Sequence, residues 1–441
     1  MMSFKEFASR ALSLPYELIF KEPMSRDATM LLTSSSQVAM GMLFGALLTM
    51  VFTILSARIL GPSAFGNLGL IITFGNIFGL SMGLAVWPMM VYASNARDET
   101  EQTMVISTAY ILITLLTVAS VAIYVLISGL LSQVFRIPGT LLLFSVAYAA
   151  TYSFFVVTIN PLRIFFKMKT YALLNSFQSV IVLGVFLAFI SNNIRSWESA
   201  TFSYYVSYVV VGLVSVVILR RYITLRFDRS WSKTIITYVW VSVPGAFAGV
   251  CLGVDRILIN FFSSTAQVGI YNAYFVPSLT MSLLLWSFFN AAFFPYASRS
   301  RDKEAIFVKI TKPIPYVTIV LVPLFVLIER IAFLLYGSEY PFSWELAFLF
   351  ALAATASVFL TAYSTLMQSE GSRGARVNSN STVITFIALA ILDVLLIPLI
   401  GIFGAVITLI VAYCIAIFYL ALRRQTLRGS LVEPQMLSAD R

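Results

Sequence analysis

The sequence predicts an all-α, polytopic membrane protein with about twelve transmembrane helices in two six-helix lobes. Three observations carry this reading. Hydrophobic residues make up 59% of the 441 residues and charged ones 11%, against about 45–50% and about 25% in an average soluble domain. A water-facing surface cannot be built from so few charges, which excludes a cytosolic enzyme. The apolar residues form continuous runs, each long enough to cross a hydrocarbon core of about 30 Å as a helix and lacking the alternation of a barrel strand. The basic residues, finally, prefer one side of those runs.

In chain order the predicted spans are 36–57, 67–91, 104–127, 140–160, 171–191 and 199–219, then 234–254, 273–295, 314–335, 345–367, 379–400 and 403–421. Residues 1–33 mix aromatics with both charge signs and lack the clean apolar core of a cleavable signal; they read as an interfacial amphipathic helix on the cytoplasmic side. Gly61-Pro62 stops the first span and turns the chain. The spans before residue 220 form the N-lobe (34–219), the basic stretch 220–233 is a cytoplasmic linker, 234–422 is the C-lobe and 423–441 is a polar cytoplasmic tail. Pro398, Gly401 and Gly404 make a tight turn between the last two spans.

Charge fixes the orientation. With both termini inside, the inner segments collect 24 of the 29 Lys and Arg residues. The outer segments hold five: Arg58, Arg136, Arg195, Arg256 and Arg330. That asymmetry follows the positive-inside rule and places the protein in a cytoplasmic membrane with both termini cytoplasmic. The net charge of +10 is thus a topology signal; nucleic-acid binding would need it gathered on one accessible face.

Several chemistries are excluded by absence. The chain has no histidine, so His-based metal sites and His-activated nucleophiles are out. It has no P-loop run. Cys251 and Cys414 both fall in apolar runs and read as small packing residues. No cofactor is expected.

A short internal repeat supports two parallel lobes. Ala57-Arg58-Ile59-Leu60 followed by Phe65-Gly66 ends the first span and opens the second; Asp255-Arg256-Ile257-Leu258 followed by Val268-Gly269 does the same for the seventh and eighth, with a spacing five residues longer. Both copies lie on the same side in the same order, as repeats related by an axis along the membrane normal should.

The run Ala57-Arg58-Ile59-Leu60-Gly61-Pro62-Ser63-Ala64-Phe65-Gly66 resembles a signature of the polysaccharide and oligosaccharide flippases, relatives of the MATE multidrug antiporters. Asp255 to Ile259 with Val268-Gly269-Ile270-Tyr271, Leu335 to Tyr340, and Leu395 to Ala405 resemble three further motifs of that family, in order along the chain. The resemblance implies a MATE-like fold and translocation of a polyprenyl-(di)phosphate-linked oligosaccharide by alternating access, for cell-surface glycan assembly, without catalysis. It implies membrane lipids, H+ or Na+ and glycan-assembly enzymes as partners. A MATE-like antiporter of drugs or organic cations is the alternative; it would want acidic residues in the first six spans, and none is found there. A murein-precursor flippase would carry extra spans. A membrane glycosyltransferase or polymerase would need a sizeable loop or domain outside.

Few charges are placed to meet a substrate. Asp393 is the one acid read well inside a span, where ionisable groups are costly; it is either a protonatable coupling site or a hydrogen-bonding group at a watery cavity, and the resemblance implies asparagine there. Arg58 and Arg256, with Asp255 beside the latter, sit at the predicted outer ends of the first and seventh spans; they either snorkel to the interface or face a central cavity, where a guanidinium fork suits phosphate. Arg163 is a candidate at the inner end of the fourth span. Asn76 and Asn290 are candidate polar contacts, as are other Asn and Gln residues in the spans. Glu329-Arg330 reads as an outer snorkelling pair. Gly75, Gly79 and Gly83, and Gly245, Gly249 and Gly253, recur every four residues; such faces serve close packing, or bending as the lobes rock, with Pro244 a kink site.

Overall fold

The computed structural model describes residues 26–424 apart from 166, 225, 287–289, 291, 292, 294–296, 298–301 and 371. The predicted amphipathic segment up to residue 25 and the tail from residue 425 lie outside the described residues, as does most of the inner half of the eighth span.

Every regular element among the described residues is helical. Ten helices are long and apolar enough to cross a membrane, and an eleventh span consists of Arg229–Trp240 and Gly245–Cys251, bent by 55° around the stretch that contains Pro244. One of the ten, Leu43–Gly83, is 41 residues long, enough for two spans. At Gly61 the backbone leaves helical values for φ 74° and ψ 170°, a conformation open to glycine and strained for other residues. A straight helix would hold Phe52 and Gly75 about 35 Å apart. Instead, the Phe52 and Tyr204 ring centroids are 5.2 Å apart, while Gly75 abuts Tyr148, whose ring lies 5.8 Å from that of Tyr204. The chain therefore folds back at Gly61, and the spans among the described residues number twelve.

The turns are set by local chemistry. Asp98, Ser196, Asp228, Ser264, Asp302 and Ser343 each accept a backbone N–H of the helix they precede. Such caps satisfy helix donors that have no intrahelical partner. Gly401, at φ 59°, separates Ser372–Ile400 from Ile402–Leu422. The first two spans pack on the fourth, fifth and sixth, and the tenth packs on the ninth, eleventh and twelfth.

Two boundaries differ from the sequence reading in ways that matter for function. The seventh span does not end near residue 254. After a break it resumes as Asp255–Phe262, so Asp255 and Arg256 lie inside the span and not at its outer end. The eighth span begins at Thr265 and contains a π-helical turn, Val276–Thr280, in which Pro277 supplies no backbone N–H. Cys251 is buried, whereas Cys414 is exposed on the outside of its helix.

The lobes meet where the second and eighth spans cross. A Cβ on Gly66 would overlap the Thr265 carbonyl, and one on Gly269 would overlap the Pro62 carbonyl. Each glycine thus faces the residue four positions before the other, a contact that maps onto itself under a two-fold axis. Only a hydrogen fits at either place.

Candidate functional site

The crossing of the second and eighth spans is one of several contacts that seal the Gly61 end of the molecule. The Tyr340 hydroxyl donates to the Ala57 carbonyl at 3.0 Å, Arg58 donates to the Leu335 carbonyl at 3.4 Å, and the Arg136 guanidinium lies 4.8 Å from the centre of the Phe261 ring. Beneath this seal lies a cavity of about 1560 Å³ between the lobes, larger than the few hundred to about 1,000 Å³ of an ordinary small-molecule pocket. It runs from Phe65 and Leu68 to Trp87 and Gln368, at the opposite ends of the second and tenth spans.

The two walls differ in chemistry. On the N-lobe side Tyr152, Tyr204, Thr49, Thr53 and Asn76 face the space. Tyr148 and Tyr208 buttress the two cavity tyrosines from behind, bonded to each other through their hydroxyls at 3.1 Å. On the C-lobe side stand Arg256, Asn272, Asn378, Ser379 and Thr382. Arg256 is the one charged residue of the lining among the described residues. The tyrosine faces of one wall oppose a guanidinium flanked by amides on the other.

Arg256 is held firmly. Its Nε donates to Asn272 Oδ1 at 2.7 Å and its Nη1 lies 3.3 Å from Asp255 Oδ1. Its guanidinium carbon rests 4.1 Å from the centre of the Phe275 ring. Asp255 is buried, takes the backbone N–H of Arg256 at 2.7 Å and accepts the Tyr271 hydroxyl. Burying a charged pair in an apolar span is tolerable only with such added hydrogen bonds. Two edges of the guanidinium are therefore committed to the protein, and Nη2 has no hydrogen-bond partner among the described residues.

The predicted candidates fall in different places. Asn76, Arg256, Gly79, Gly83, Gly245, Gly249 and Gly253 line the cavity. Arg58 does not; it is exposed at the sealed end. The five extra residues in the second copy of the repeat explain the difference, because they carry Arg256 about 7.5 Å further along the chain from its crossing glycine. Asp255 sits behind Arg256, away from the cavity surface. Arg163 is exposed on the short helix Pro161–Ile164, its guanidinium 5.5 Å from the centre of the Tyr171 ring. Asn290 and Asp393 also lie off the lining, and Asn290 Oδ1 and Asp393 Oδ1 are buried without a hydrogen-bond partner. Gly75 packs against the Tyr148 ring, whereas a Cβ on Gly83 would meet open space.

Three features escaped the sequence reading. Asn272 lines the site and clamps Arg256. Gly69, not among the glycines at four-residue spacing, is the close contact of Asn272. Glu329 is fully buried, not a snorkelling group.

Residues 31–301, more than half of the chain, match the family model described as polysaccharide biosynthesis protein. No curated relative matches by sequence. Among solved structures, an inward-facing multidrug-resistance MATE family transporter of the MOP superfamily is 17% identical and superposes with a TM-score of 0.67, covering 87% of this chain and 95% of that one. An outward-facing MATE transporter gives 16%, 0.64, 92% and 100% in the same order. A MOP superfamily transporter from Pyrococcus furiosus, described as having a binding pocket of reversed polarity, gives 16%, 0.63, 92% and 100%. These likenesses establish the fold.

Proposed function

The chain belongs to the polysaccharide biosynthesis protein family, and from that premise we propose that it is a flippase for a polyprenyl-(di)phosphate-linked oligosaccharide. The cavity wall is the observation that carries the proposal: among the described residues it offers one guanidinium and no carboxylate. A cation cargo would want an acid on that surface, and a phosphate wants the arginine.

The cargo straddles the two walls. Its phosphate meets the free edge of Arg256, and its sugars lie against Tyr152 and Tyr204 with Asn76 and Asn378 as hydrogen-bond partners. The lipid tail stays in the bilayer. With the basic segments inside, the Trp87 end of the cavity faces the cytoplasm and the Gly61 end faces outward, so loading occurs from the inner leaflet of the cytoplasmic membrane. Delivery requires the lobes to rock about the cavity until the Gly61 seal parts. Gly245, Gly249 and Gly253, on the bent seventh span, give that motion room. No bond of the cargo is made or broken, so the chain is a transporter without catalysis. Asp393, buried behind the Arg256 cluster, is the residue proposed to couple transport to H+ or Na+.

The experiment reconstitutes the protein in liposomes with a fluorescent undecaprenyl-diphosphate-linked oligosaccharide in the inner leaflet and scores its exposure outside. Exposure well above that of protein-free liposomes is expected, with no efflux of an organic cation such as ethidium. A rate equal to protein-free liposomes together with ethidium efflux identifies an antiporter instead.

A further inference from the structure

Glu329 has no place in the cargo site. It lies in the ninth span, Ile314–Tyr336, about two helical turns from the sealed end. Its side chain is 0% exposed, and both carboxylate oxygens lack a hydrogen-bond partner. Tyr274 from the eighth span and Tyr336 from its own helix are the titratable groups around it, and among the described residues no basic side chain faces it. Arg330, its neighbour in sequence, points to the Phe342 ring, 4.9 Å from its centre. An ionised carboxylate buried without a partner costs several kcal/mol.

The group opposite Glu329 is informative. Ser278, in the π-helical turn of the eighth span, gives its hydroxyl proton to the Tyr274 carbonyl at 2.5 Å and neighbours the carboxyl. A hydroxyl already committed as a donor presents a lone pair. A carboxylic acid can donate to it, whereas a carboxylate draws the hydroxyl proton only at the cost of the bond to the Tyr274 carbonyl. A hard divalent cation would need about six oxygen ligands; a proton needs one.

The pocket is also wired to the seal. The Tyr274 hydroxyl accepts the Ser343 N–H at 2.7 Å and donates to the Pro341 carbonyl at 3.3 Å. That loop carries Tyr340, whose hydroxyl bonds Ala57 in the other lobe at 3.0 Å. Movement of the loop away from the N-lobe disturbs Tyr274, and with it the packing over Glu329.

We infer that Glu329 is a proton-binding site that is occupied while the Gly61 end is sealed and gives up its proton when that end opens. Opening lets water reach the carboxyl and favours its charged form, so a rise in pH draws the protein toward the open state, which binds fewer protons. This site is separate from Asp393, which neighbours Asp255 and Thr408 in the other cluster of the C-lobe.

Two measurements test it. Infrared difference spectra of wild type minus Glu329→Gln at about pH 7 report the carbonyl stretch of a protonated carboxyl. The band is expected in wild type; its absence overturns the inference. Spin labels at exposed Ser63 and Ser338, introduced as cysteines in a Cys414→Ser background, report the width of the seal in proteoliposomes. From about pH 6 to about pH 9, wild type is expected to gain a long-distance population at least about fivefold, while Glu329→Gln, a mimic of the protonated state, stays short. A Glu329→Gln protein that opens with pH like wild type, or a wild type that never widens, overturns the inference. The pH link rests on the alternating-access reading and the infrared band does not, so a band without opening at any pH condemns the link and the rocking motion together.

Discussion

Gly69→Ala should weaken binding of a lipid phosphate although residue 69 touches no charge. A Cβ at this position overlaps Asn272 Nδ2. Backbone surrounds the glycine on the helix side, so the amide at the tip of Asn272 must swing aside. The same amide holds Arg256 Nε at 2.7 Å through its oxygen, and that hydrogen bond is lost with the rotation. A hydrogen bond to a charged group contributes about 1.5–3 kcal/mol, and part of that is recovered when the freed guanidinium finds water. A net loss of about 1.4 kcal/mol, or tenfold in Kd, is expected for undecaprenyl phosphate titrated into protein in nanodiscs. Asn272→Ala should lose about as much, because it removes the same clamp. The discriminating species is the double variant: with Asn272 already shortened, the alanine at 69 has nothing to displace, so the losses should not add. A double variant about a hundredfold weaker than wild type, or a Gly69→Ala protein that binds like wild type, would refute the reasoning.

Other expectations follow from the same geometry. Gly269→Val places branched carbon against the Pro62 carbonyl; at about 1–3 kcal/mol for such overpacking, the sealed state should lose on the order of 5- to 150-fold in population, read as a widened Ser63–Ser338 spin-label distance. Arg58→Ala should leave undecaprenyl phosphate affinity within about twofold while loosening the seal, since Arg58 donates to the Leu335 carbonyl; a tenfold affinity loss would return Arg58 to the cargo site. Asp393→Asn should fold normally and abolish any dependence of flipping on an ion gradient, and full gradient-driven activity in that variant would exclude an obligatory step at Asp393.

The fold was largely legible because a bilayer demands long apolar helices and permits little else. The turn at Gly61-Pro62 and the parallel repeat were readable from the residues themselves. The depth of Arg256 was not. Asp255 and Arg256 interrupt an apolar run, and two adjacent charges look like the end of a span by hydropathy. The pair is instead held inside the span, Asp255 buried and Arg256 at the cavity, because its charges meet at 3.3 Å and Tyr271 and Asn272 complete its hydrogen bonds. The signal was present in the five extra residues of the second repeat copy, which no hydropathy window weighs. Glu329 misleads for a related reason. It lies near the end of its run beside an arginine, yet the loop of residues 337–343 and the π-helical turn around Ser278 close over it, and neither closure has a local sequence signature. Gly66 and Gly269 were visible as motif residues, but their role as the lobe crossing emerges only when the two copies are superposed in space.

The most direct test of the cargo site is flipping by Arg256→Gln beside wild type in the same liposomes, using the undecaprenyl-diphosphate-linked oligosaccharide. Glutamine keeps much of the side chain's length and hydrogen-bonding capacity and removes the charge. Flipping reduced at least about tenfold, with folding intact by melting temperature, is the expected result. Flipping at the wild-type rate would contradict the assignment of the phosphate to Arg256 and with it the reading of the cavity.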